Sequence, residues 1–178
     1  MDSTLIGVII TAFVTIGVAI GGFIATNKNL KKSFNDSLKQ RRDDVALSKM
    51  SEMPYEILCI LDAINNDAFA INEYKRVINT IFSYGSVDAI RICVAMQQEA
   101  YMSNKNKTDK EKFRGFAFYI LLAVQIKYDV TQVLVSPESL YALRLNDYSK
   151  NKTLITEINN ELVNELLLST NFIIDNAK

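Results

Sequence analysis

The chain has 178 residues with 20 basic and 20 acidic side chains, and so no formal net charge, a balance that argues against nucleic acid as a general partner. It contains no histidine, which removes the commonest general base, the Ser-His and Cys-His nucleophile pairs, and the principal nitrogen ligand of zinc. The two cysteines, Cys59 and Cys93, stand far apart in apolar stretches and cannot alone build a cysteine-rich metal site, so no metal or other cofactor is expected.

The first 25 residues carry the strongest signal. Leu5 to Ala25 (LIGVIITAFVTIGVAIGGFIA) has no charged residue, and Thr11 and Thr15 are its only polar side chains. As a helix rising about 1.5 Å per residue the run is roughly 30 Å long, the thickness of a bilayer's hydrocarbon core. A cleaved signal peptide would open with a base and have an apolar core of about 7–15 residues. This chain opens with Met1-Asp2-Ser3-Thr4. The expectation is an outer stub over 1–4 and a single transmembrane helix over 5–25. Inside that helix, Gly17 and Gly21 have the small-xxx-small spacing that lets two membrane helices approach closely.

Six bases follow the run: Lys28, Lys31, Lys32, Lys39, Arg41 and Arg42, against the single acid Asp36. Bases close to a span are retained on the cytoplasmic side. The chain is therefore expected to be a single-pass protein of a bacterial inner membrane, N-terminus outside and C-terminal body in the cytosol. The same six bases would lie against anionic headgroups of the bilayer. Residues 26–50 read as a basic juxtamembrane stalk helix. Its apolar residues Leu30, Phe34, Leu38 and Val45 fall within about 80° of arc at 100° per residue. That stripe either packs on the body or pairs with a second copy.

Residues 51–178 read as one all-α domain of about six helices, with no Gly/Pro-rich linker dividing them. Pro54 suits the first turn of a helix ending at Asn65-Asn66-Asp67; its buried face is either Leu58, Leu61 and Ile64 or Ile57, Ile60, Leu61 and Ile64. Asn72 to Ser83 carries Tyr74, Val77, Ile78, Ile81 and Phe82 at helical spacing. Gly85 is placed as a left-handed C-cap, and Ser86 as the N-cap of the next helix, about 87–102.

Thr108 and Glu111 form a capping box. The helix they open includes Phe116 to Val124 (FAFYILLAV), nine apolar residues in a row. That run is too short to span a bilayer and is expected at the centre of the bundle. Ser136-Pro137-Glu138 starts a short helix ending near Leu145. A last helix is expected over 152–174, with Leu154, Ile158, Leu162, Val163, Leu166 and Phe172 turned inward. Cys59 and Cys93 are expected to be reduced and buried.

Little chemistry remains. Glu52, Glu56, Asp62, Glu73, Asp88, Glu99, Glu111 and Glu138 are scattered over helix starts and polar faces, without ExxE-type pairing, and read as solvated or dipole-facing acids. A second basic cluster, Lys105, Lys107, Lys110, Lys112 and Arg114, is diluted by Asp109 and Glu111. It reads as a solvated helix start, or as another contact with anionic lipid or an acidic partner. The leading expectation is a membrane-anchored, non-enzymatic helical module. It would bind a protein partner or self-associate as a homo-oligomer, with Gly17, Gly21, Leu30, Phe34 and Leu38 as the helix–helix contacts. The alternatives are a membrane-perturbing effector acting by clustering of spans, as in anti-phage defence, and an enzyme working with carboxylates alone.

Overall fold

The computed structural model describes residues 26, 28–41, 43–65, 71–102 and 108–175. The expected span over 5–25, including Gly17 and Gly21, lies outside the described residues. Among those described, no helix is long and apolar enough to cross a membrane. The chain divides into two units, Met1–Val45 and Ala46–Lys178.

The second unit is all-helical among its described residues. It comprises α1 (Met53–Asn65), α2 (Ile71–Tyr84), α3 (Val87–Met102), α4 (Asp109–Thr131), α5 (Pro137–Arg144) and α6 (Tyr148–Glu165), followed by a 3-10 turn at Thr170–Phe172. The six helices match the expected count.

The apolar run places α4 where the sequence requires it. Ala117, Phe118 and Ile120 to Ile126 are buried, and α1, α3, α5 and α6 all pack against this helix. Full burial of each large apolar side chain stabilises by about 1.5–3 kcal/mol, so the run defines the core. The capping box is present: Glu111 N–H donates to Thr108 Oγ1 at 3.3 Å, and Thr108 N–H donates to Glu111 Oε2 at 2.6 Å. At the other end Gln132 takes a left-handed conformation, φ 57°, and donates its N–H to Tyr128 O at 2.8 Å.

On α1 the buried positions are Met53, Ile57, Ile60 and Leu61. Ile64 is exposed, and so is Cys59, which corrects the expectation that both cysteines are buried. The reason is angular. At 100° per residue Ile57, Ile60 and Leu61 share one arc, while Cys59 projects from the opposite side of the helix. Cys93 on α3 is buried as expected.

Gly85 ends α2, but not as a left-handed cap, because no described glycine has positive φ. Its N–H donates to Ile81 O at 2.7 Å, and a Cβ built at Gly85 would stand 2.6 Å from that oxygen. Close approach of the backbone, rather than φ, demands glycine here. Ser86 caps α3 as expected, accepting from Ala89 N–H at 3.2 Å. Its hydroxyl also donates to Asp129 Oδ2 at 2.6 Å, tying the start of α3 to the end of α4.

Ser136 and Pro137 open α5 as the sequence indicates, with Leu145 as its C-cap. The final helix departs from expectation. It starts at Tyr148 and stops at Glu165 rather than continuing to 174. Leu167 is left-handed, φ 50°. Leu168 N–H donates to Val163 O at 2.9 Å and Leu167 N–H to Asn164 O at 3.2 Å, the paired bonds of a Schellman ending. Arg91 of α3 donates to Leu166 O at 2.7 Å, satisfying a carbonyl the helix leaves open. Phe172 and Ile174 are still buried, but they reach the core by folding back along α6.

Candidate functional site

In the first unit, residues 28–41 are helical and exposed throughout. Leu30 is 63% exposed, Phe34 64% and Leu38 38%. Their four-residue spacing puts the three on one helical face. Lys28, Lys31, Lys32, Lys39 and Arg41 are exposed on the same helical stretch. A solvent-facing apolar stripe between cationic flanks can be covered by another helix or rest at a lipid interface. Arg42, like Gly17 and Gly21, lies outside the described residues.

The second basic cluster is largely engaged within the bundle. Lys110 Nζ bridges Glu157 and Glu161 of α6 at 3.1 and 3.2 Å, and the hydrogen bonds it donates to Glu157 and Glu161 raise its pKa. Lys112 pairs with Asp109 at 3.1 Å. Arg114 joins three helices: Nε reaches Glu99 of α3 and Nη2 reaches Glu165 of α6, each at 2.7 Å, and the guanidinium lies 5.6 Å from the Phe118 ring centroid. Burial opposes its charge, yet hydrogen bonds to Glu165 and Glu99 raise its pKa overall. These described bases are partnered by acids, which favours the solvated-helix reading over a lipid contact. Lys105 and Lys107 lie outside the described residues.

Several of the scattered carboxylates have structural partners too. Glu56 pairs with Arg76 at 2.9 Å and Asp62 with Arg144 at 2.7 Å. Glu138 accepts from Lys152 at 2.7 Å and from the Tyr148 hydroxyl at 2.9 Å. Among the described residues no three Cys, Asp or Glu side chains gather to hold a metal ion.

One concavity interrupts the packing of α1, α2, α3 and α4. Its volume is about 580 Å³, and its walls include Leu61, Tyr74, Met96, Gly115, Phe116 and Tyr119. Composition and spacing gave no sign of it, since these residues come from four helices and each reads alone as ordinary core. Burial pushes the Tyr74 phenol up to about 12 and raises Tyr119 as well, so both stay protonated at neutral pH. The Tyr74 hydroxyl donates to Gln97 Oε1. The Tyr119 hydroxyl has no hydrogen-bond partner among the described residues. A Cβ built at Gly115 would meet nothing within 4 Å among the described residues. Burial also pushes the nearby Cys93 thiol up to about 12, so it remains an inert thiol rather than a nucleophile.

Comparison of the chain with protein-family models, curated proteins and solved structures finds no match.

Proposed function

We propose that this chain is a membrane-tethered, non-enzymatic helical module that self-associates at the cytoplasmic face of a bacterial inner membrane. The observation that carries the reading is the exposed stripe Leu30, Phe34 and Leu38, which follows closely on 21 uncharged residues. The uncharged run supplies the anchor over 5–25, and the bases from Lys28 to Arg42 keep the body inside. Gly17 and Gly21 allow close helix approach in lipid. The stripe continues that contact below the membrane, where burial of each Leu or Phe contributes about 1.5–3 kcal/mol. Lys28, Lys31, Lys32, Lys39, Arg41 and Arg42 hold the segment against anionic headgroups at about 1 kcal/mol per base near the surface. The body presents the helical surface a protein partner would read.

Cross-linking of the full chain in native membranes tests this reading. Gly17→Ile and Gly21→Ile should each reduce the cross-linked oligomer, and Phe34→Asp should reduce it further. A reporter fused after Lys178 should be active in the cytosol only. Unchanged oligomers in all three variants would remove the shared interface, and periplasmic reporter activity would reverse the topology.

A further inference from the structure

We propose that the cavity among α1, α2, α3 and α4 binds an uncharged, mainly apolar small molecule carrying one hydrogen-bond acceptor. A volume of about 580 Å³ falls within the roughly 300–1,000 Å³ typical of small-molecule sites, which pair apolar walls with a few fixed polar groups.

Gly115 is the first argument. A glycine inside a helix costs roughly 0.5–1 kcal/mol relative to alanine. The two structural reasons to keep one, positive φ and close approach, are both absent among the described residues: no described glycine has positive φ, and none of the described atoms comes within 4 Å of the Cβ position. The protein's own packing does not use the missing side chain. A ligand resting against the bare backbone of α4 would.

Tyr119 is the second. It lines the same cavity, and its hydroxyl has no hydrogen-bond partner among the described residues. As a phenol it is a neutral donor at neutral pH and open to an acceptor. Tyr74, across the cavity, is already held by Gln97.

Charge decides the class. Of the charged residues lining it, Glu99 is taken by Arg114 at 2.7 Å, Glu111 is engaged in the capping box, and Lys112 pairs with Asp109 at 3.1 Å. An ionic ligand would compete with these existing pairs. An uncharged one need not, and the flexible Met96 side chain can adapt to its shape.

The test uses the full-length chain with 13C-labelled methionine methyls, of which there are five. The probe is 6-propionyl-2-(dimethylamino)naphthalene, a neutral aromatic ketone. Met96 and Met102 line the cavity and should show saturable shifts, with Met50 and Met53 unmoved. Gly115→Phe should weaken binding at least about tenfold by filling the space; Ala100→Trp, from the α3 wall, is the second blocking variant should the first fail to fold. Tyr119→Phe keeps the shape and should weaken binding about fivefold through the lost hydrogen bond. Octanoate, an anion, should give no saturable shift at Met96. Equal shifts at all five methyls, or binding unchanged in a folded blocking variant, would overturn the site. Tighter binding of octanoate than of the ketone would overturn the uncharged class, and an unaffected Tyr119→Phe would overturn the role of the hydroxyl.

Discussion

The side-chain amide of Asn160 pairs with both backbone polar groups of Ile174. Asn160 Nδ2 donates to Ile174 O at 2.9 Å, and Ile174 N–H donates to Asn160 Oδ1 at 2.8 Å. One turn of α6 thereby acts as a partner strand for the returning tail. Its neighbour Asn159, fully buried, donates to Phe172 O at 2.8 Å and accepts from the Tyr141 hydroxyl at 3.3 Å. These bonds fix a tail that carries Phe172 and Ile174 into the core.

Asn160→Ala should destabilise the protein by about 1–3 kcal/mol, because two partly buried backbone groups lose their partners. The midpoint of urea unfolding reports the loss. Amide exchange gives the local signature: Ile174 N–H should exchange faster than it does in the parent chain, while α4 amides exchange only as fast as global unfolding allows. Equal protection of Ile174 in both proteins would contradict this account.

Two backbone positions should respond to glycine in opposite senses. Leu167 is 79% exposed and left-handed at φ 50°, a conformation that costs a residue with a side chain about 1–2 kcal/mol. Leu167→Gly should raise the melting temperature, the gain being partly offset by the greater freedom of glycine in the unfolded chain. Gly85→Ala should lower it, since the new Cβ would stand 2.6 Å from Ile81 O. Thermal unfolding of both variants, side by side, checks the pair of signs.

The cysteines should differ sharply in reactivity. Cys59 is exposed and Cys93 buried, and burial pushes the Cys93 thiol up to about 12. A soluble maleimide at pH about 7.5 should label Cys59 quickly and Cys93 only after unfolding, since the thiolate is the reactive form. Mass spectrometry of the labelled peptides assigns the sites. Fast labelling of Cys93 in the folded protein would refute its placement.

Glu138 should give the body a pH dependence on the acid side. Hydrogen bonds from Lys152 and Tyr148 hold its carboxyl below the ordinary value of 4.5. A carboxyl with a depressed folded pKa contributes stability that is complete above the unfolded value and is lost as pH falls through the folded one. The group is about a third exposed, so the contribution at neutral pH is about 0.2–1 kcal/mol after solvent screening. Glu138→Gln should therefore lower the urea midpoint near neutral pH, and the gap from the parent chain should narrow below about pH 4.5. A gap independent of pH would show that the pair does not act through ionisation.

Some of this structure is written in local sequence. The nine apolar residues from Phe116 to Val124 call for burial around most of the helix, so they set α4 at the centre, with only Phe116 and Tyr119 left half-buried. The Thr108–Glu111 box and the Ser136-Pro137 start act within one turn of chain, and both helices begin where those residues stand. The shared face of Leu30, Phe34 and Leu38 is also a matter of helical spacing, whereas their exposure was not, since the spacing left open whether the stripe packs on the body or on a second copy. Tertiary structure decided the rest, because the deciding contacts come from distant residues. The tail leaves α6 at Glu165 because Arg91, 75 positions away, takes the Leu166 carbonyl, and because Asn159 and Asn160 bind the returning backbone. The left-handed turns fell on Gln132 and Leu167 rather than on Gly85, since hydrogen bonds at those helix ends outweigh the local preference for glycine. Cys59 lies outside and Cys93 inside because only the assembled bundle says which face of α1 is covered. The cavity exists only once four helices meet, and no spacing along the chain can foretell the space they leave between them.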